Sequence, residues 1–297
     1  MMSSYLEYNY SLSLTSQFYF CGIPFRLDTS PKCNLNCYYC FAMSRGGRRT
    51  SMRLLVSIQR LRRLFGKVFE EGRLCGLNSE ILARKVPLHF GGLSDPFSNK
   101  VTSKVSKSIL DLLGYYDYPV VLSTKNSEEL LKDKTIEVLK KVRKLIIQIS
   151  IPSRRKKFWE AAEPNVPMPN KRIKAIKTLS EEGFHCICRI QPLFQTELNN
   201  VNNELIPALA EAGSHHIVIE HLKLPVERNR KSFDFMLEKM NWDAYDSYRK
   251  RGMVLVGREW LLTNKAKLNN LQCIVETVHK YINPYPLSRP FFPLYKV

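Results

Sequence analysis

Cys33-Asn34-Leu35-Asn36-Cys37-Tyr38-Tyr39-Cys40 sets three thiols at the spacing CxxxCxxC, just after a short apolar run at 23–29 that reads as a strand. Thiolates favour zinc and iron–sulfur clusters. A structural zinc site wants four closed ligands, often as two CxxC-type pairs. The other cysteines, Cys21, Cys75, Cys186, Cys188 and Cys273, supply no matching second pair. Cys186 and Cys188 share one face of a strand and read as small core residues. Three thiolates on a four-iron cluster would leave one iron open to a cofactor or substrate.

Outward from this segment, short apolar runs alternate with helical patterns. A helix pattern covers 51–71, with Leu54, Leu55, Ile58, Leu61, Leu64, Phe65, Val68 and Phe69 on one face. A second strand at 86–90 ends at Gly91-Gly92. The next helix carries Val101, Val105, Ile109, Leu112 and Leu113, with Gly114 as its stop. A strand at 119–124, a helical stretch at 127–143 and an apolar strand at 144–151 follow. Asn170 opens a helix bearing Ile173, Ile176 and Leu179, and two further strands are read at 184–191 and 215–221. Leu179-Ser180-Glu181-Glu182-Gly183 and Leu209-Ala210-Glu211-Ala212-Gly213 each run from helix through glycine into a strand. This rhythm predicts an α/β fold on a parallel sheet. The organisation is an N-terminal extension at 1–19, a core domain at 20–224 holding six βα units, and a mostly helical C-terminal extension at 225–297.

The 297 residues carry a net charge of +19 and are 44% hydrophobic, which excludes a largely disordered chain. No apolar run approaches the ~18 residues of a membrane span. Residues 1–10 lack a basic segment followed by an apolar one, so a cytoplasmic setting is expected, with reduced cysteines. The charge is localised, with net +8 in 45–85 and +10 in 140–177. Such patches point to a polyanionic partner, nucleic acid first. Arg45, Arg48, Arg49, Arg53, Arg60, Arg62 and Arg63 make one group; Arg154, Arg155, Lys156 and Lys157 make another. Both are expected to flank the cysteine end of the sheet.

The cysteine spacing, the aromatic Tyr39 before the third cysteine and the βα series resemble the radical SAM superfamily. The resemblance implies a partial (β/α)6 TIM-like barrel, a 4Fe–4S cluster on Cys33, Cys37 and Cys40, and S-adenosylmethionine chelated at the open iron. It also implies a flavodoxin- or ferredoxin-like electron donor and a 5′-deoxyadenosyl radical that abstracts hydrogen from a substrate. Ser94-Asp95-Pro96-Phe97, Thr124-Lys125-Asn126 and Glu163-Pro164 with Arg172 are similar to strand-end motifs of the photolyase-like branch, the relatives of spore photoproduct lyase. By that resemblance Tyr39 packs near the adenine, Gly91 and Gly92 lie beside the amino group, Lys125 pairs with the carboxylate, Ser150 contacts the ribose, and Arg189 or Gln191 faces the cofactor. Leu93 stands where the superfamily places an acidic residue. Phe90 is read at the position of the lyases' hydrogen-donating cysteine. A nucleic-acid substrate is the leading expectation. The alternatives are a peptide or small-molecule substrate, or a non-enzymatic zinc and nucleic-acid-binding protein.

Overall fold

The computed structural model describes residues 12–14, 23, 25–31, 33–40, 54, 56–226 and 231–282. Its main sheet has seven strands in sequence order: β1 (Leu12–Leu14), β2 (Phe25–Leu27), β3 (Leu88–Phe90), β4 (Val120–Thr124), β5 (Leu145–Ser150), β6 (His185–Leu193) and β7 (Ile217–His221). β1 pairs antiparallel with β2, and every later neighbour pairs in parallel. The six parallel strands are those read from sequence. Strand β1, inside the segment read as an extension, adds the antiparallel edge.

Helices α1 (Ile58–Phe69), α2 (Leu77–Ala83), α3 (Lys100–Tyr115), α4 (Ser127–Leu130), α5 (Asp133–Lys140), α6 (Lys156–Ala162) and α7 (Pro169–Glu181) occupy the crossovers. A last crossover joins α8 (Leu198–Asn200), a π turn at Val201–Leu205 and α9 (Ile206–Glu211). Strand residues facing these helices, such as Phe90, Leu122, Ile147, Ile149, Cys186 and Cys188, are buried in one apolar cluster. Parallel strands with covered faces explain the near-continuous apolar runs in the sequence.

The two glycine junctions are one motif used twice. Gly183 and Gly213 adopt φ of 85° and 78°, a region open to glycine without strain. Phe184 N–H donates to Leu179 O at 3.0 Å, and Ser214 N–H to Leu209 O at 2.9 Å. Each closes the last helical turn and turns the chain into the next strand.

Several boundaries differ from the sequence reading. The helix expected over 51–71 begins at Ile58, where Ser57 accepts from Arg60 N–H; residues 51–53 and 55 lie outside the described residues. Gly114 does not stop α3 but lies within it. A Cβ there would stand 2.9 Å from Lys141 O, so this glycine serves close packing of α3 on the end of α5. The 127–143 pattern divides because Lys132 is extended, at φ −75° and ψ 135°. Asn170 is not a cap: Met168 takes that position and Pro169 starts α7, where its missing N–H costs nothing.

The described part of the segment after β7 is mostly helical and also carries a small sheet. Helices α10 (Lys231–Lys239), α11 (Ala244–Arg251) and α12 (Asn264–Tyr281) accompany a second sheet of β8 (Leu224–Pro225), β9 (Met253–Val256) and β10 (Glu259–Leu262) in the order β8-β10-β9. A second apolar cluster joins this part to the cysteine segment through Leu35, Cys37, Tyr39, Phe158, Phe194, Phe233 and Tyr248. Among the described residues no helix is long and apolar enough to cross a membrane.

Candidate active site

The cysteine segment leaves β2 at the end of the sheet where all six parallel strands finish. One cavity opens there, with about 1040 Å³ of space including its mouth. Its wall carries Cys33, Cys37 and Cys40, then Gly91 and Gly92 after β3, Lys125 after β4, Ser150 on β5, and Arg189 and Gln191 on β6. Tyr39 also lines it. Strand alternation explains the β6 pair: Arg189 and Gln191 face the cavity, so Cys186 and Cys188 must face the helices. Their full burial there agrees with the core reading of both cysteines. His185 and His215 stack at 4.3 Å at the opposite ends of β6 and β7, away from the thiols.

The cysteine loop is held by backbone and side chains together. Cys33 is pushed up to about 12 by burial and by the nearby Asp95 charge, although the Asp95 and Leu35 N–H groups donate toward it. Burial raises Cys37 as well, against the pull of Lys125. Burial thus favours the neutral thiol at both positions, and any metal bound there would have to displace the protons. Among the described residues no three His, Cys, Asp or Glu side chains gather as one metal ion would need.

Gly91 is required by the fold itself. Its φ is 91°, and a Cβ would lie 2.4 Å from Ser123 O and 2.7 Å from Pro96 Cδ. A Cβ on Gly92 would meet the His89 ring at 3.2 Å. Phe90, by contrast, is fully buried in the outer core, so the side chain at that position does not face the cavity.

Asp28 and Asp95 fix the loop after β3. Asp28 Oδ1 accepts from Leu93 N–H at 2.7 Å and Ser94 N–H at 3.2 Å. Asp95 accepts from the Thr124 hydroxyl, from Lys125 N–H at 2.6 Å and from Phe97 N–H at 2.9 Å. It ties the β3 end to the β4 end and thereby places Lys125. Burial raises Asp95 despite these donors.

Glu163 is fully buried. Its Oε1 accepts from the Tyr39 hydroxyl and lies 3.0 Å from Lys125 Nζ. Its Oε2 accepts from Arg172 at 2.6 Å, and Arg172, also fully buried, donates to Ser150 O at 2.6 Å. Burial alone would raise Glu163, but Arg172, Lys125 and the Tyr39 hydroxyl hold it down at about 2. The Lys125 ammonium also lies 5.5 Å from the Tyr39 ring centroid. On the far wall, Glu220 accepts from Gln191 Nε2 and pairs with Lys223 at 2.5 Å.

The structure therefore brings every sequence-derived site residue to one cavity. Sequence reasoning gave no role to Glu163, Arg172, Asp28, Glu220 or Lys223. Glu163-Pro164 and Arg172 were visible as a motif, but a carboxylate destined for full burial carries no local mark. Asp28, an acid at the end of an apolar strand, was the one further signal available.

The basic groups do not all reach this end. Lys140, Lys141, Arg143 and Lys144 sit where β5 begins, at the opposite end of the sheet, and pair with Glu182, Asp111 and Asp117. Arg155 is bound to the buried Glu197. Arg60, Arg62 and Arg63 are exposed on α1, while Arg45, Arg48, Arg49 and Arg53 lie outside the described residues.

Fold and site together define an open parallel α/β barrel with a three-cysteine segment after its first parallel strand. Spore photoproduct lyase shares this fold. One mutant of it superposes at a TM-score of 0.68 with 15% identity, covering 92% of this chain and 78% of that one. A second mutant, with bound AdoMet and dinucleoside spore photoproduct, superposes at 0.65 with 14% identity, covering 89% and 76%. At these identities the likeness is one of fold, and it bears out the barrel read from sequence. No protein-family model and no curated protein matches the chain.

Proposed function

We propose that the chain is a radical SAM enzyme. One observation carries the reading: three thiols, a glycine pair, a lysine and an arginine, each from a different strand end or loop, line a single cavity. A neighbour with the same fold holds AdoMet. Cys33, Cys37 and Cys40 would hold a 4Fe–4S cluster, and the cavity would hold S-adenosylmethionine. Bound together, these groups supply a one-electron cleavage and a carbon radical that takes hydrogen from the substrate.

The chain's own residues bind and orient. Lys125 offers an ammonium to the ligand carboxylate, and Asp95 fixes the backbone that carries it. Gly91 and Gly92 give the ligand amino group close access to the loop. Ser150 and Arg189 are the contacts for the ribose and the far side of the cofactor. Tyr39 contributes its ring beneath Lys125 and turns its hydroxyl to Glu163, which sets it as a wall of the site. An external low-potential protein of the flavodoxin or ferredoxin kind would deliver the electron.

The substrate we favour is nucleic acid, on the exposed Arg60, Arg62 and Arg63. Anaerobic reconstitution with iron and sulfide tests the reading. It should give a brown protein with about four irons per chain. Reduction by dithionite in the presence of S-adenosylmethionine should then yield 5′-deoxyadenosine. A colourless protein that takes up a single zinc would overturn the proposal.

A further inference from the structure

The thiol-bearing segment is tied to the barrel at two adjacent points. Tyr38 N–H donates to Ala162 O at 3.0 Å, and the Tyr39 hydroxyl donates to Glu163 in the same neighbouring stretch. The second tie does not end at Glu163. Through Arg172 it reaches the backbone of Ser150 at the end of β5, and through Lys125 the end of β4. A single carboxylate thus connects the loop between two of the cysteines to two strand ends. Every partner it has is a donor or a cation, as a buried carboxylate requires.

The chain's own side chains and backbone make this connection. In small metal domains the ligand loop is commonly organised by the metal itself. Here the loop has an internal organiser. We propose that Glu163 is the positioning residue of the cysteine segment: through Tyr39 it fixes the loop against the ends of β4 and β5, so that the thiols are in place before a cluster arrives. This deepens the reading above, since the groups held in place are its ligands.

The test is per-cysteine alkylation of the metal-free protein with iodoacetamide, read by peptide mass spectrometry. Cys37 is buried within the tied loop, and Cys186 and Cys188 are buried on β6 away from it. Local opening of a segment exposes its own groups without unfolding the rest. Tyr39→Phe removes only the phenol–carboxylate tie. It should accelerate Cys37 labelling by about tenfold or more, the scale for a lost hydrogen bond to a charged group. Cys186 and Cys188 should keep the wild-type rate. Glu163→Gln should accelerate Cys37 at least as much. The double variant should exceed Glu163→Gln little, because both changes cut the same tie.

An unchanged Cys37 rate in Tyr39→Phe overturns the proposal. So does a rise at Cys186 and Cys188 in Tyr39→Phe parallel to that at Cys37, which would mean a general loss of stability; Glu163→Gln, which also breaks the Arg172 pair, is judged by the Cys37 rate relative to those of Cys186 and Cys188. If Glu163→Gln fails to fold, Tyr39→Phe still decides. Iron uptake by the wild type is a separate readout: its failure would sink the cluster reading and leave the labelling result intact.

Discussion

Replacing Glu163 with Gln should lower stability by a pH-dependent amount. The carboxylate is held at about 2, against an ordinary value of 4.5, because Arg172, Lys125 and Tyr39 outweigh its burial. At about 1.4 kcal/mol per pKa unit, this depression corresponds to about 3 kcal/mol favouring the folded chain. The same order follows from breaking a buried ion pair, about 3–5 kcal/mol, since the variant leaves Arg172 without its charged partner. The folded-state value lies below the unfolded one. The contribution is therefore complete above about 4.5 and is lost as the pH falls toward about 2. Urea denaturation of both proteins, followed by circular dichroism, measures the difference. It should be about 3 kcal/mol near neutrality and narrow by about 1.4 kcal/mol per pH unit below about pH 4.5. Other carboxylates titrate in both proteins and cancel. A difference that stays flat between about pH 7 and about pH 3, or one below about 1 kcal/mol throughout, would refute the reasoning.

Gly91→Ala should cost about 3 kcal/mol or more, because the added methyl meets Ser123 O and Pro96 while the backbone is held at positive φ. Gly92→Ala, facing only the edge of the His89 ring, should cost about 1 kcal/mol, and urea midpoints compare the two. Lys125→Met should weaken S-adenosylhomocysteine about tenfold or more but leave methylthioadenosine, which has no carboxylate, unchanged; equilibrium dialysis of the reconstituted protein checks this. Iron–sulfide loading should improve as pH rises, since Cys33 and Cys37 must give up protons; a pH-independent yield from about pH 6.5 to about pH 9 would contradict that.

The barrel was legible because parallel strands covered on both faces leave apolar runs, and because glycines at 183 and 213 mark the helix ends. The thiols stood out by their spacing and Lys125 by a motif at a strand end, and the fold brings all four to one cavity wall. Packing decided what was not legible. Gly114 looks like a helix stop in sequence and proves to be a contact with Lys141. Glu163 and Arg172 stand in the sequence as parts of a motif without a stated role, and only the fold buries both against each other. Packing likewise divides the basic stretch at 140–177. Lysines that read as one patch lie at both ends of a sheet, and several already hold carboxylates of this chain.

The buried set of Lys125, Glu163 and Arg172 contains two cations and one anion. Lys125 alone of the three lines the cavity, so the surplus positive charge is presented there. An anionic group beside Lys125 is therefore favoured over a neutral one of the same shape. Sulfate or phosphate in a buffer would be drawn to the same ammonium, which makes the choice of buffer anion part of any affinity measured at this site.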